Sequence, residues 1–177
     1  DVNNFWNNFY SDFEGYPVAS MGISGSQTTH QMICRDKIIK QFNPKNIVLH
    51  IGTNDINDTT VALNSEQYYK QITEYLSVLC SEYPEVNIYY LGIENRNHGA
   101  GGKNAYVERV TAKIKDEFAP AHSNFTYIDS PAVFNLDLDT YISADDIHPS
   151  EAGRQWYVET LKNLVKKLLK KRKKFKK

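Results

Sequence analysis

The chain has 177 residues, of which 41% are apolar and 24% charged, so it has the length and composition of one globular domain rather than a disordered or fibrous protein. No apolar run approaches the roughly 18 residues that a membrane-spanning helix needs. The two cysteines, Cys34 and Cys80, are too few for a disulfide framework or a zinc site. Both lie among apolar neighbours, which predicts buried thiols and indicates no compartment.

The formal net charge of zero hides an uneven distribution of charge. Residues 166–177 carry nine Lys or Arg and no acid, whereas residues 1–165 hold 12 basic and 21 acidic residues. We therefore divide the chain into a folded domain, 1–165, and a basic tail, 166–177. The tail is either a solvated helix end, where cations are favourable, or a surface for nucleic acid or anionic membrane. By itself it makes no strong case for either partner.

Hydrophobic periodicity predicts helices and strands in alternation along the chain. The first helix, residues 1–13, has aromatic side chains on one face, which are Phe5, Trp6, Phe9, Tyr10 and Phe13. Later helices are predicted at about 30–42, 65–82, 105–118 and 150–169. In the helix 65–82 the inward stripe is Tyr69, Ile72, Leu76 and Leu79. The predicted strands are 18–21, 46–51, 86–91 and 125–128, and the second of them, NIVLHI, is apolar enough to be buried on both faces.

This alternation predicts an α/β fold, a three-layer α/β/α sandwich around a parallel, flavodoxin-like sheet of strand order 2-1-3-4-5. The chain opens on a helix with no strand before it, and only four strands are convincing. We therefore expect the first strand, which is central in this order, to lie upstream of residue 1. Two neighbouring strands would otherwise keep unpaired backbone groups, which are costly when buried. A strand-complementing N-terminal segment is thus an expected partner.

Two polar segments follow predicted strands. Gly22–His30, GISGSQTTH, is a loop of small residues whose backbone can approach an anion, or else an ordinary strand-to-helix turn. Ile51–Asp55, IGTND, ends the strand NIVLHI at the edge where ligands bind in such sheets. There Asn54 either presents an NH2 donor to a ligand or forms an Asx turn with the nearby backbone.

A third polar segment, Ala144–Gly153, precedes the last predicted helix. It holds Asp145 and His148 three residues apart on a loop that Pro149 stiffens. A carboxylate beside an imidazole can fix its tautomer and stabilise its charged form. The alternative is a helix cap next to a surface histidine.

Together, the three segments resemble the SGNH/GDSL hydrolase superfamily over essentially the whole chain. Gly22-Ile23-Ser24-Gly25 is similar to the second block of that superfamily, Gly52-Thr53-Asn54-Asp55 to the third, and Asp145-Asp146-Ile147-His148 to the last. The resemblance implies that Gly25 and Asn54 form the oxyanion hole, that His148 is the general base, and that Asp145 orients it.

The first block of the superfamily, a Gly-Asp-Ser motif with the nucleophilic serine, is absent from the sequence. In the family a Trp often follows that serine by a few residues, and Trp6 fits this position. The nucleophile is therefore expected just before Asp1, on the same missing strand. Ser24 and Ser26, which flank Gly25, are the internal alternatives.

The resemblance implies a serine esterase or acylhydrolase that removes a small, acetyl-like group from an alcohol or sugar ester by Ser-His-Asp acyl transfer, without cofactor or metal. The expected ligand is a small-molecule ester or an acylated carbohydrate. The loop 94–103, with Arg96 and His98, is either part of a substrate rim or a surface loop.

Other functions remain open at this stage. If the serine is truly lost, the chain is a catalytically inactive binding module with the SGNH fold. A flavodoxin-like flavin or phosphate binder is suggested by GSQTTH but leaves the other two motifs unexplained.

Overall fold

The computed structural model describes residues 6–56, 64–97 and 102–174, with side chains as far as residue 168. The chain forms two units, which we call the sheet unit, residues 25–138, and the terminal unit, residues 1–24 and 139–177. The helices are α1 Phe9–Asp12, α2 Thr28–Phe42, α3 Ser65–Glu82, α4 Asn104–Lys113, α5 Pro131–Phe134, α6 Leu138–Tyr141 and α7 Glu151–Lys174. The strands are β1 Asn46–Leu49, β2 Asn87–Leu91 and β3 Phe125–Ile128. A π-helical segment, Ile114–Phe118, and a last turn, Ala119–Ala121, extend α4.

The sheet unit is built on a parallel sheet in the order β1-β2-β3. Ile47 lies opposite Ile88, which lies opposite Phe125, so that one face of the sheet is apolar. This face packs in one hydrophobic core with the inward side chains of α3 and α4, including Ile72 and Val110, both fully buried. The predicted α/β class, with a parallel sheet flanked by helices, is confirmed.

The predicted strand order is not confirmed. β1, β2 and β3 lie side by side, as the last three strands of the order 2-1-3-4-5 would. The strand predicted at Val18–Met21 is wrong, because that segment has no ladder partner among the described residues. Its N–H groups bond locally instead: Val18 donates to the Tyr16 carbonyl at 2.9 Å, and Ser20 donates to the Tyr10 hydroxyl at 3.3 Å.

β1 is shorter and more exposed than its apolar sequence predicts. It ends at Leu49 rather than Ile51, and Val48 is 43% exposed. In the described part of the chain β1 pairs only with β2, so its outer edge has no neighbouring strand. The expectation that this strand is buried on both faces is therefore wrong, because an edge strand is covered on fewer sides than a central one.

Helix α3 begins and ends where the sequence predicts. Asn64 accepts a hydrogen bond from the backbone N–H of Gln67 at 2.9 Å, and the side chain of Gln67 accepts one from the N–H of Asn64. This capping box fixes the start of the helix at Ser65. The inward stripe is correct except at its first position, where Tyr68, 1% exposed, replaces the predicted Tyr69.

The terminal unit contains α1 and α7. α1 is much shorter than the predicted helix 1–13, of which residues 1–5 lie outside the described residues. The asparagines around it favour caps and turns over helix interiors, which explains the short helix. Phe13 is buried, and the Trp6 ring lies 6.5 Å from that of Tyr157 on α7. α7 continues to Lys174, so most of the basic tail is an extension of this helix. No described helix is both long and apolar enough to span a membrane.

Gly92, just after β2, gives a test of packing in the sheet unit. A Cβ atom there would overlap the Tyr127 hydroxyl and lie 2.6 Å from Cδ of Pro131, whose ring cannot move aside. We expect Gly92→Ala to lower the free energy of unfolding in urea by about 1–3 kcal/mol. Gly102→Ala is the control, because a Cβ there meets nothing within 4 Å. Equal stability of the two variants would contradict this packing.

Candidate active site

The segment after β1 turns sharply at the carboxyl end of the sheet. Gly52 has φ +118°, a backbone conformation that side chains rarely adopt, and a Cβ there would lie 2.5 Å from Cδ1 of Ile93. The N–H of Asp55 donates to the Gly52 carbonyl at 3.0 Å and closes the turn. We call residues 52–55 the GTND turn.

Side chains from elsewhere in the sheet unit hold this turn in place. Each backbone carbonyl from Ile51 to Asn54 accepts a hydrogen bond from a side chain. The donors, in that order, are Tyr90 Oη at 2.9 Å, Tyr68 Oη at 3.0 Å, Arg96 Nη2 at 2.8 Å and Gln27 Nε2 at 3.4 Å. With these four carbonyls bound, the turn has little freedom to change conformation.

Arg96 is buried, so it is not part of an exposed surface loop, and its place on a substrate rim stays a prediction. It is only 9% exposed, and burial lowers the pKa of its guanidinium group below the usual value. Its contact with the Thr53 carbonyl makes it part of the support of the GTND turn. His98, the other residue suggested for that rim, lies outside the described residues.

The Asp55 carboxylate is 1% exposed and is bound by Thr28 and Gln71. The backbone N–H of Thr28 donates to its two oxygens at 3.0 and 3.2 Å, and the Thr28 hydroxyl donates at 2.5 Å. Gln71 Nε2 donates at 2.6 Å. Burial raises the pKa of Asp55, and these hydrogen bonds offset part of the rise. The motif analysis did not identify this network, because its members are separated by 16 to 43 residues along the chain.

The structure brings together the two segments predicted to form the oxyanion hole. Asn54 Nδ2 donates to the Ser26 carbonyl at 3.0 Å, which places the amide of Asn54 beside the loop that contains Gly25. An amide group has two N–H donors, so one remains to face a ligand. Gly25 has φ +69°, and the space where its side chain would project is open. The assignment of Gly25 and Asn54 as oxyanion donors stays a prediction, with this geometry in its favour.

The two internal serines differ in their surroundings. Ser26 Oγ accepts a hydrogen bond from Gln31 Nε2 at 3.0 Å, while Ser24 is exposed. In the part of the chain that the structure describes, no hydrogen bond joins either hydroxyl to an imidazole. Neither serine therefore has a partner of the kind that activates a hydroxyl nucleophile.

Asp145 and His148 form a hydrogen-bonded pair in the terminal unit. His148 Nδ1 lies 2.6 Å from Asp145 Oδ2. The other carboxylate oxygen accepts from the backbone N–H groups of Ile147 and His148 and from the Ser143 hydroxyl. Asp146 adopts φ +65°, which a short polar residue tolerates and which lets the loop turn this tightly. With Nδ1 as donor, the neutral ring carries its lone pair on Nε2, as a general base requires.

The environment of Asp145 keeps its carboxylate ionised. Partial burial acts to raise the pKa of Asp145, but hydrogen bonds from His148, Ile147 and Ser143 outweigh it and hold this pKa well below the usual 3.8. An ionised Asp145 can stabilise the positive charge that the ring gains when it takes a proton. The roles of His148 as base and Asp145 as its orienting group stay predictions.

A second imidazole–carboxylate pair, which the sequence did not reveal, lies at the carboxyl ends of β1 and β2. His50 Nε2 is 2.9 Å from Glu94 Oε2, and Glu94 is 8% exposed. His50 comes soon after β1 and Glu94 soon after β2. Because the carboxyl ends of parallel strands meet at one edge of the sheet, these positions in the sequence could have suggested the pair. No group of three or more potential metal ligands occurs among the described residues.

A family model for GDSL-like lipases and acylhydrolases matches residues 2–156. This chain belongs to that family. Its members are hydrolases, and the motifs that carry the resemblance lie within the matched residues. A search of curated proteins found no significant sequence match.

Solved structures of similar fold include several esterases. A GDSL-like lipase from Bacteroides thetaiotaomicron is 16% identical with TM-score 0.65, over 84% of this chain and 75% of that one. An acetyl esterase mutant with an acetate ion is 19% identical with TM-score 0.66, over 88% and 78%. A carbohydrate esterase of family 3 from Talaromyces cellulolyticus is 18% identical with TM-score 0.63, over 88% and 78%. At these identities the likeness shows the fold.

The lowered pKa of Asp145 predicts how the stability of its loop depends on pH. A carboxyl group with a lowered pKa in the folded state stabilises that state above its ordinary pKa, and this contribution is lost as the pH falls through the folded value. The difference in free energy of unfolding between the wild type and Asp145→Asn should therefore be constant near neutrality and shrink below about pH 3.8.

Urea unfolding at a series of pH values measures this difference. Asp146→Asn is the matched control, since it removes a carboxylate from the same loop without removing the bonds to His148. A difference for Asp145→Asn that is the same at about pH 5 and about pH 2.5 would contradict the assignment.

Proposed function

We propose that this member of the GDSL-like family is a serine esterase that removes a small acyl group, such as acetyl, from an alcohol or sugar ester. The observation that carries the proposal is the His148–Asp145 pair, which is bonded through Nδ1 at 2.6 Å and so leaves Nε2 as a base. The placement of Asn54 against the Gly25 loop supports it. Among the similar structures, the acetyl esterase favours a small acyl group and the carbohydrate esterase favours a sugar ester.

The proposed reaction needs no cofactor or metal. His148 Nε2 takes the proton of a serine hydroxyl as the serine oxygen attacks the ester carbonyl. The Gly25 N–H and Asn54 Nδ2 donate to the oxyanion of the tetrahedral intermediate. His148 then gives its proton to the leaving alcohol, and water releases the acyl group from the serine by the same steps. Asp145 stabilises the charged ring throughout.

We further propose that the nucleophilic serine ends a strand that pairs with the outer edge of β1. No Gly-Asp-Ser motif occurs in the sequence, and β1 has no strand on that edge in the described residues. A parallel strand there would end at the same edge as the GTND turn, because the carboxyl ends of parallel strands lie together. The half-exposed Val48 would then gain an apolar neighbour. A polar strand edge and an exposed apolar side chain together favour this docking.

Supplying the strand tests this proposal. The 177-residue chain is assayed on nitrophenyl acetate alone and with a peptide of apolar residues that ends in Gly-Asp-Ser. The protein expressed from its complete natural coding region is assayed in parallel. We expect activity only where the Gly-Asp-Ser serine is present, and replacement of that serine by alanine should abolish the activity.

Two outcomes would contradict the assignment of the serine. Robust activity of the 177 residues alone that Ser24→Ala or Ser26→Ala abolishes would place the nucleophile inside the chain. Inactivity of every form, with retained binding of acetylated sugars, would mean that the protein is a binding module.

The proposed base predicts a second result in the active form. His148→Ala should lower kcat/KM by about 10⁴-fold or more, and Asp145→Asn should lower it by about 10⁴-fold through loss of the correct tautomer. His122→Gln is the control, because the His122 ring stacks on Phe118 and its Nδ1 contacts the Phe118 carbonyl. A loss of less than about tenfold for His148→Ala would rule it out as the base.

A further inference from the structure

The Asp55 carboxylate joins the two segments that we propose as the oxyanion hole. Thr28 is the first residue of α2, three residues after Gly25, and Asp55 directly follows Asn54. Asp55 binds both the backbone N–H and the hydroxyl of Thr28. This contact is buried, since Thr28 and Asp55 are each 1% exposed.

We propose that Asp55 is a positioning residue of the oxyanion hole, which fixes the separation between the Asn54 amide and the Gly25 loop through Thr28. The proposal rests on the proposed function. Asp55 does not touch the reacting atoms and acts through Asn54 and the loop. Gln71 holds the carboxylate in place from α3.

Three consecutive residues of one segment, 26 to 28, each form a hydrogen bond with Asn54 or Asp55 of the other. Ser26 accepts from Asn54 through its backbone, Gln27 donates to the Asn54 carbonyl at 3.4 Å, and Thr28 donates to Asp55. Only the last of these contacts involves a charged group. Hydrogen bonds to an ionised acceptor in a buried site are stronger than neutral ones, so the Thr28–Asp55 contact contributes most to holding the segments together.

A carboxylate suits this position better than an amide. Two oxygens with four lone pairs accept the N–H and O–H of Thr28 and the NH2 of Gln71, and each of these groups is a donor. An asparagine at position 55 would replace one acceptor with an NH2 group that faces other donors. The N–H of Thr28 belongs to the first turn of α2 and has no partner within the helix, so it depends on this acceptor.

The catalytic consequence follows from geometry. An oxyanion donor acts only when it lies about 2.7–3.1 Å from the position of the oxyanion. A shift of about 1 Å in such a group can cost about 10²-fold in rate. Because the oxyanion forms only in the transition state, a displaced Asn54 should lower kcat and leave KM nearly unchanged.

A double-mutant cycle in the active form separates positioning from general stability. Asn54→Ala should lower kcat by about 10²–10³-fold. Asp55→Asn should lower kcat by about 10–10²-fold, with KM changed less than about threefold. In the Asn54→Ala background, Asp55→Asn should cost less than about threefold, because the donor that it positions is gone. Additive losses in the two backgrounds would overturn the proposal.

Substitutions at Thr28 keep the test decisive if Asp55→Asn fails to fold. Thr28→Val removes the hydroxyl donor at nearly the same volume and should lower kcat by about tenfold, whereas Thr28→Ser keeps both donors and should stay within about twofold. Asp36→Asn is the matched control on α2, since its carboxylate binds Lys40 and Tyr83 instead. Equal activity of the valine and serine variants would overturn the proposal.

A measurement without substrate separates this proposal from the proposed function. The NMR signals of the Asn54 side-chain amide should shift or broaden in Asp55→Asn and Thr28→Val, and should match the wild type in Asp36→Asn. Unchanged Asn54 signals in Asp55→Asn and Thr28→Val overturn the positioning role, whatever the activity. Changed signals in a protein with no esterase activity overturn the proposed function and leave the contact with Asn54 supported.

Discussion

The hydrogen bonds between Thr28 and the buried Asp55 carboxylate join the first turn of α2 to the segment that follows β1. A carboxylate that is 1% exposed is costly unless donors satisfy it, and three donor groups converge on this one. The donors that satisfy the carboxylate hold the start of α2 against the GTND turn. The GTND turn and the Gly25 loop then have little choice of conformation, and tyrosine and arginine donors hold the turn's carbonyls in place.

In the terminal unit, the carboxylate of Asp145 is satisfied by donors that are close in the sequence. Asp145 accepts hydrogen bonds from four donor groups of residues 143–148, and one of them is the imidazole of His148. The left-handed backbone at Asp146 makes the turn tight enough for this. In each unit the polar groups that we propose for the chemistry are held in place by hydrogen bonds without a substrate, which is the condition for electrostatic stabilisation of a transition state.

The membership of the chain in the GDSL-like family fits this arrangement of motifs on an α/β fold. Among the described residues, the outer edge of β1 has no neighbouring strand. A strand with an open edge and a half-exposed Val48 is an unfavourable surface in water, because its backbone groups and its apolar side chain both remain uncovered. One added strand would cover both.

Features set by local sequence could be predicted without the structure. The apolar period of residues 65–82 was enough to predict helix α3, and the spacing of Asp145 and His148 within one loop was enough to predict their contact. The parallel α/β class followed from alternating helices and strands. The motif resemblance indicated Gly25 and Asn54 as a pair before the structure showed their segments in contact.

Features that depend on distant partners were decided only by the tertiary structure. Val18–Met21 has the composition of a strand, but a strand also needs a neighbour to bond with, and its N–H groups bond locally. Tyr68 rather than Tyr69 faces inward because its hydroxyl reaches the Gly52 carbonyl. Asp55, Thr28 and Gln71 lie far apart in the sequence and show no spacing of their own. Their shared hydrogen bonds exist only once β1, α2 and α3 have packed together, because burial and donor convergence are properties of the folded chain.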